Sequence, residues 1–273
     1  PAEVYVEKKL GIENRSEIGT KISVDEYVNA CRTAMEQGGN EWEGIIDRLG
    51  RWVEFEGAYK TMDKDYMESI WWAFKELYEN GKIYEGEKVL LYCTRDATPI
   101  SKSEVAMENS YKETTDASLF VYLDLVDEPA SLLAWTTTPW TLPANVVVAV
   151  NPKLTYVEVE YNNKKIILAK DLVEKVFTDE KHQSLEYKVT REFSGKTLVG
   201  KSYKPLFENH GPNAHKVVSA DFVTSDDGTG IVHIAPAYGE DELNLSREEN
   251  LPVVHVVDEN GLYSSGPWLG KNI

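Results

Sequence analysis

The stretch "LLAWTTTPWTLPANVVVAV", residues 132–150, holds two apolar runs around a hydroxyl-rich segment broken by proline. Leu132, Leu133, Ala134 and Trp135 read as one strand, and residues 146–150 as another. Between them stand Thr136, Thr137, Thr138 and Thr141, with Pro139 and Pro143. Threonine favours strands, so a run of it in a sheet is ordinarily structural. Proline cannot donate to a ladder, which puts these hydroxyls at a strand end or in a loop, where sites concentrate.

Further strands are expected over residues 119–125, 154–160, 165–168, 216–223, 230–235 and 253–257. Asn162-Asn163 marks a tight hairpin, because asparagine tolerates positive φ. Short helical stretches interrupt near residues 170–177 and 240–250. Many short strands at this spacing predict a mainly β, barrel-like domain over residues 116–273.

Residues 1–115 read differently. Ser23 with Glu26 forms a capping box, and a helix follows that Gly38-Gly39 is expected to end. Asp65 with Glu68 opens a second helix. Its stripe of Met67, Ile70, Trp71, Phe74, Leu77 and Tyr78 reads as core packing. Strands are expected over residues 50–55 and 88–92, which makes this part α/β.

Composition sets limits. The chain has 273 residues, 42% of them hydrophobic, enough for a real core. No run approaches the ~20 apolar residues of a membrane span, so no membrane partner is expected. The first residue is Pro1, so a fragment or processed form is expected, and no signal peptide is read. Two cysteines, Cys31 and Cys93, are too few for a disulfide framework, and a cytoplasmic setting is the default. A net charge of −17 opposes polyanions at long range and argues against a free-standing nucleic-acid binder.

A second unusual stretch is "GTGIVHIAPAYGEDE", residues 228–242. Gly228 and Gly230 allow close backbone approach. His233 sits in an apolar strand that Pro236 ends, a setting where a satisfied core histidine is the ordinary case. Glu240, Asp241 and Glu242 open a helix, where acids favour the helix dipole. Residues 226–259 hold nine acids and one base, Arg247, which suits a cation. No cluster has zinc spacing, so an ammonium group is favoured over a metal. A generic barrel that binds a small cationic metabolite remains open at this point.

Together, residues 135–145 (WTTTPWTLPAN) and 228–236 (GTGIVHIAP) resemble the editing domain of isoleucyl-tRNA synthetase. The valine and leucine enzymes carry arginine where Thr138 stands here. Pro1-Ala2-Glu3, residues 48–52 and residues 59–63 resemble that family's catalytic domain. The resemblance therefore implies an internal piece: an α/β remnant of the class I (Rossmann-like) catalytic domain, residues 45–92 among it, then the inserted editing (CP1) domain. The ATP-binding signature and the Lys-Met-Ser-Lys-Ser loop are absent from these residues. ATP and Mg are implied only for the full-length enzyme, and no cofactor for editing.

The implied reaction is hydrolysis of the ester that joins valine to the 3′ end of tRNA(Ile), and of valyl-adenylate. One methylene is worth only about 1–3 kcal/mol in a pocket, so a second site must remove the smaller amino acid. The implied partners are that tRNA end and the rest of the synthetase. Thr136, Thr137 and Thr138 are the implied catalytic hydroxyls, with His233 and Glu242. Trp140, Thr141, Asn145, Asp241, Gly228, Thr229 and Gly230 are implied to bind substrate. No covalent intermediate is expected. The family generally has aspartate where Glu242 stands, nine positions after His233, so either Glu242 or Asp241 takes the ammonium. Asp96 replaces the second cysteine of a zinc pair begun by Cys93, and no zinc is expected. The alternative is a folded, inert fragment that only binds the aminoacyl-adenosine end.

Overall fold

The computed structural model describes residues 2–178 and 183–273; Pro1, quoted above, lies outside them. The chain divides into two compact units, residues 1–85 and 86–273. Composition, by contrast, changes near residue 115.

The first unit is helical: α1 (Ala2–Leu10), α2 (Val24–Arg48) and α3 (Lys64–Glu79). The Ser23–Glu26 capping box forms as expected, each side chain taking the other's backbone N–H. Gly38 does not end α2, which runs on to Arg48; mid-helix glycine costs only about 1 kcal/mol. Asp63, not Asp65, stands at the N-cap of α3, with no side-chain cap. Residues 50–55 form no strand, because no partner strand satisfies them, and Trp52 is fully exposed. No described residue of this unit is in a β-strand, so the expected α/β character is not found there.

The aromatic stripe of α3 is also not core within this unit. Trp71 is 73% exposed, and Phe74, Leu77 and Tyr78 are at least half exposed. Among the described residues of the unit, Val6 alone is a buried hydrophobic side chain. The period predicts which face seeks cover, and nothing within these three helices supplies it.

The second unit begins with a small hairpin, β1 (Leu91–Cys93) and β2 (Thr98–Ile100), and a single turn, α4 (Lys102–Val105). Five strands then build one sheet: β3 (Leu119–Asp124), β4 (Ser131–Thr136), β6 (Thr155–Tyr161), β7 (Lys164–Ala169) and β8 (Lys188–Ser194). Their order is β3-β4-β7-β6-β8. The β6–β7 hairpin turns through Asn162 and Asn163 at φ 48° and 60°, as predicted. A second sheet has β5 (Val147–Val150) at its centre, antiparallel to β10 (Ile231–Ile234) and parallel to β9 (Val217–Ser219). Residues 253–257 form no strand. The helices are the short α5 (Val173–Val176) and α6 (Glu240–Glu248).

Both sheets are open, so the expected closed barrel is not formed. The edge strand β8, missed by pattern, is mostly exposed and carries Lys188, Arg191 and Glu192, a composition that blunts further pairing. The sheets are joined instead by isolated bridges, Leu125 to Tyr203 and Ser202 to Lys216. They share one core, in which Leu132, Ala134, Val148, Val150, Ile167 and Ile231 pack together.

All four residues of β5 are buried. Val148 and Val150 face the shared core, while Val147 and Ala149 face Leu245 of α6. A strand covered on both faces explains the unbroken apolar run. Gly230 is the tight spot: it has φ 71°, and an added Cβ would lie 2.4 Å from the Ala169 Cβ. Gly230→Ala is expected to destabilise the chain by roughly 2–5 kcal/mol, from positive φ and overpacking together, measured by urea unfolding.

Candidate functional site

The two unusual stretches meet. β4 ends at Thr136, and the chain then winds through a 3-10 turn, Pro139–Ala144, before entering β5. Antiparallel pairing sets His233 of β10 opposite Val148 of β5. On this register the imidazole reaches back to the threonine segment. Its Nε2 lies 2.7 Å from the Thr141 hydroxyl, and its Nδ1 3.2 Å from the Asn145 amide nitrogen.

The segment is braced internally. Thr138 N–H donates to the Thr136 hydroxyl at 3.0 Å, and the Thr141 hydroxyl donates to the Thr138 carbonyl at 2.9 Å. The two hydroxyls of Thr136 and Thr138 stand 3.4 Å apart. Thr136, Thr141 and Asn145 are buried, whereas Thr137 and Thr138 are exposed. Trp140 packs edge-on against Tyr238, with ring centroids 5.0 Å apart, and its carbonyl accepts from the Tyr263 hydroxyl. An apolar slot of about 310 Å³ opens beside it, lined by Pro139, Trp140, Leu142, Tyr263 and Trp268 among others.

After His233 the chain turns at Pro236 into α6. Glu242, in the first turn, folds back so that its carboxylate accepts the Ala235 N–H at 3.3 Å. Gly239 makes room for this, since a Cβ there would sit 2.7 Å from the Glu242 carboxyl carbon. Asp241, its neighbour, is exposed.

Three residues of the second motif have other contacts. A Cβ on Gly228 would press on the Trp135 ring at 3.1 Å, and Gly230 faces Ala169. Thr229 is buried, its hydroxyl donating to the Ile231 carbonyl and its own carbonyl accepting from Ala169. These contacts are with the sheet, apart from the threonine segment. Tyr203 is the residue that pattern did not single out: its hydroxyl donates to Asn145 Oδ1 at 2.6 Å, across 58 positions of sequence. Nothing local marks it. In the β1–β2 hairpin the Cys93 thiol donates to Asp96 at 3.2 Å. Among the described residues no group of three or more His, Cys, Asp or Glu is placed to hold a metal.

Burial acts oppositely on the two ionisable groups. It pushes His233 down to about 4, so the ring is neutral. It pushes Glu242 up to about 7, against the Ala235 N–H and with a small added push from Asp241.

The family profile of class I tRNA synthetases (I, L, M and V) matches residues 1–226. The chain belongs to this family. Among curated synthetases, it is 43% identical over 275 residues to the isoleucine–tRNA ligase of Clostridium novyi (strain NT), covering 99% of this chain. It is 39% identical over 277 residues to isoleucine–tRNA ligase 2 of Pseudomonas fluorescens, covering all of this chain. It spans 26% of the length of each of those synthetases. Among solved structures, the crystal structure of GlLeuRS-CP1 aligns with a TM-score of 0.47 at 14% identity, over 57% of this chain and 91% of that one. No helix among the described residues of this synthetase chain is long and apolar enough to cross a membrane.

The pKa of Glu242 yields a stability test. A carboxyl raised from 4.5 to about 7 binds its proton more tightly when folded. Its contribution is therefore fully present below pH 4.5, is lost as pH rises from 4.5 to about 7, and changes no further above that. Glu242→Gln keeps an acceptor for Ala235 and loses the charge. It is expected to match the wild type near pH 4 and to exceed it at pH 8 by on the order of 1–3 kcal/mol in urea unfolding. His233 acts in the opposite sense, losing stability as pH falls from 6.5 towards 4, and it cancels in the comparison because both proteins carry it.

Proposed function

We propose that residues 86–273 form a deacylating module that hydrolyses the ester joining valine to the 3′ end of tRNA(Ile), and valyl-adenylate, within a larger isoleucine–tRNA ligase of the cytoplasm. The observation that supports this reading is the Thr141–His233 contact at 2.7 Å, which joins the hydroxyl-rich segment to the strand that leads into the acidic turn.

An aminoacyl ester needs little covalent assistance. It needs a placed water, donors to its carbonyl, and a seat for its ammonium group. Thr137 and Thr138 are the exposed residues of the segment, and their hydroxyls orient the water and the terminal ribose. Glu242 receives the ammonium. It is the more buried carboxyl of the pair, and it is held by Ala235. The aromatic slot beside Trp140 offers walls for the adenine. ATP and Mg belong to aminoacylation by the whole enzyme, whose remaining domains are the cover for the bare stripe of α3.

Glu242 also favours a second reading. A carboxyl with a pKa near 7 is half protonated at neutral pH, and its longer arm weakens the clamp. On that reading the module binds the aminoacyl-adenosine end and leaves it uncleaved.

Valyl-tRNA(Ile) incubated with the chain decides between them. Release of valine is expected, falling at least about ten-fold in Glu242→Ala, equivalent to roughly 1.4 kcal/mol. Asp241→Ala is expected to stay within about two-fold, as suits an exposed charge. Loss in neither variant removes the clamp assignment. Binding of a non-hydrolysable valyl-adenosine analogue, with no valine released, establishes the inert reading.

A further inference from the structure

Every proton in the network around His233 has a determined place. The Val147 carbonyl can only accept, so the Asn145 atom 3.1 Å from it is the amide nitrogen. The amide oxygen consequently faces Tyr203, whose hydroxyl must donate, at 2.6 Å. Burial raises the Tyr203 pKa, so that hydroxyl stays protonated. The second amide hydrogen is directed at His233 Nδ1, which therefore accepts. A neutral ring that accepts at Nδ1 carries its proton on Nε2. That proton goes to the Thr141 hydroxyl, which in turn donates to the Thr138 carbonyl. One run of donors, from Tyr203 through Asn145, His233 and Thr141, leads from the core to the Thr138 carbonyl. Neither ring nitrogen of His233 is left for a substrate, and the residue is 7% exposed.

We propose that Asn145, locked between the Val147 carbonyl and the Tyr203 hydroxyl, fixes His233 as its Nε2–H tautomer, and that His233 is a positioning residue which pins the threonine segment through Thr141. It is neither the acid nor the base of the reaction. The opposite tautomer would turn Nε2 into an acceptor, draw the Thr141 hydroxyl proton to the ring and leave the Thr138 carbonyl with the Thr141 N–H alone. The kinetic consequence rests on the deacylating function proposed above. The tautomer assignment does not.

Long-range proton–nitrogen NMR of the histidine rings tests the assignment without substrate, with the His233 signals identified by their loss in His233→Gln. Between about pH 6 and 8 the wild type is expected to show a protonated Nε2 and a bare Nδ1. Asn145→Asp cannot donate, so its spectrum is expected to show a proton on Nδ1. A wild-type proton on Nδ1 overturns the proposal, as does a folded Asn145→Asp protein whose Nδ1 stays bare. The kinetic arm compares His233→Gln, whose amide N–H stands in for Nε2–H, with His233→Ala. Positioning predicts that glutamine keeps deacylation within about ten-fold of wild type while alanine loses about 100-fold or more. Equal large losses in both mark acid–base chemistry and overturn the positioning role. If the spectra follow expectation and the wild type releases no valine, the deacylation reading fails and the tautomer assignment stands.

Discussion

A buried imidazole held between an amide and a hydroxyl ties the site together. His233 and Thr141 are 92 positions apart in sequence, and their bond depends on one register, His233 opposite Val148. His233 shares a face with Ile231, towards the core common to both sheets. A slip of one residue would turn the ring to the other face, among Val147 and Leu245. That face is apolar and offers the ring no partner, so the slip would bury an unpaired imidazole.

The same burial sets the charge states. A ring satisfied on both nitrogens by neutral partners has no reason to ionise, and desolvation keeps it neutral. A carboxyl folded against its own helix, with one backbone donor, loses more by desolvation than it gains from that bond. Such a group is primed to lose its proton when a cation arrives. On the proposed function, a neutral scaffold and a chargeable carboxyl would suit an ester substrate whose only fixed charge near the reacting carbonyl is an ammonium.

The first unit shows what periodicity can and cannot tell. The helical stripe from Met67 to Tyr78 was readable, and α3 forms over it. The stripe specifies a face that seeks burial but not its cover, and within its own unit that face is bare. Residues 50–55 had strand-like composition and no partner, so no strand forms there. In the second unit β8 escaped notice for the opposite reason. It is an edge strand, mostly exposed, whose charged sequence lacks the apolar alternation that marks a half-buried strand.

Sequence by itself determined the family, the Ser23 cap, the Asn162-Asn163 hairpin, most strands of the second unit and the two segments that build the site. These are local or linear properties: capping oxygens, positive φ, alternation and residue order. Tertiary structure alone decided that the sheets stay open and that Gly228 and Gly230 serve packing against Trp135 and Ala169. It alone brought Tyr203 to Asn145, and it alone left Glu242 more buried than Asp241. Each of those depends on which groups are brought together or removed from water, and burial and hydrogen-bond partnership belong to the folded chain rather than to any window of its sequence.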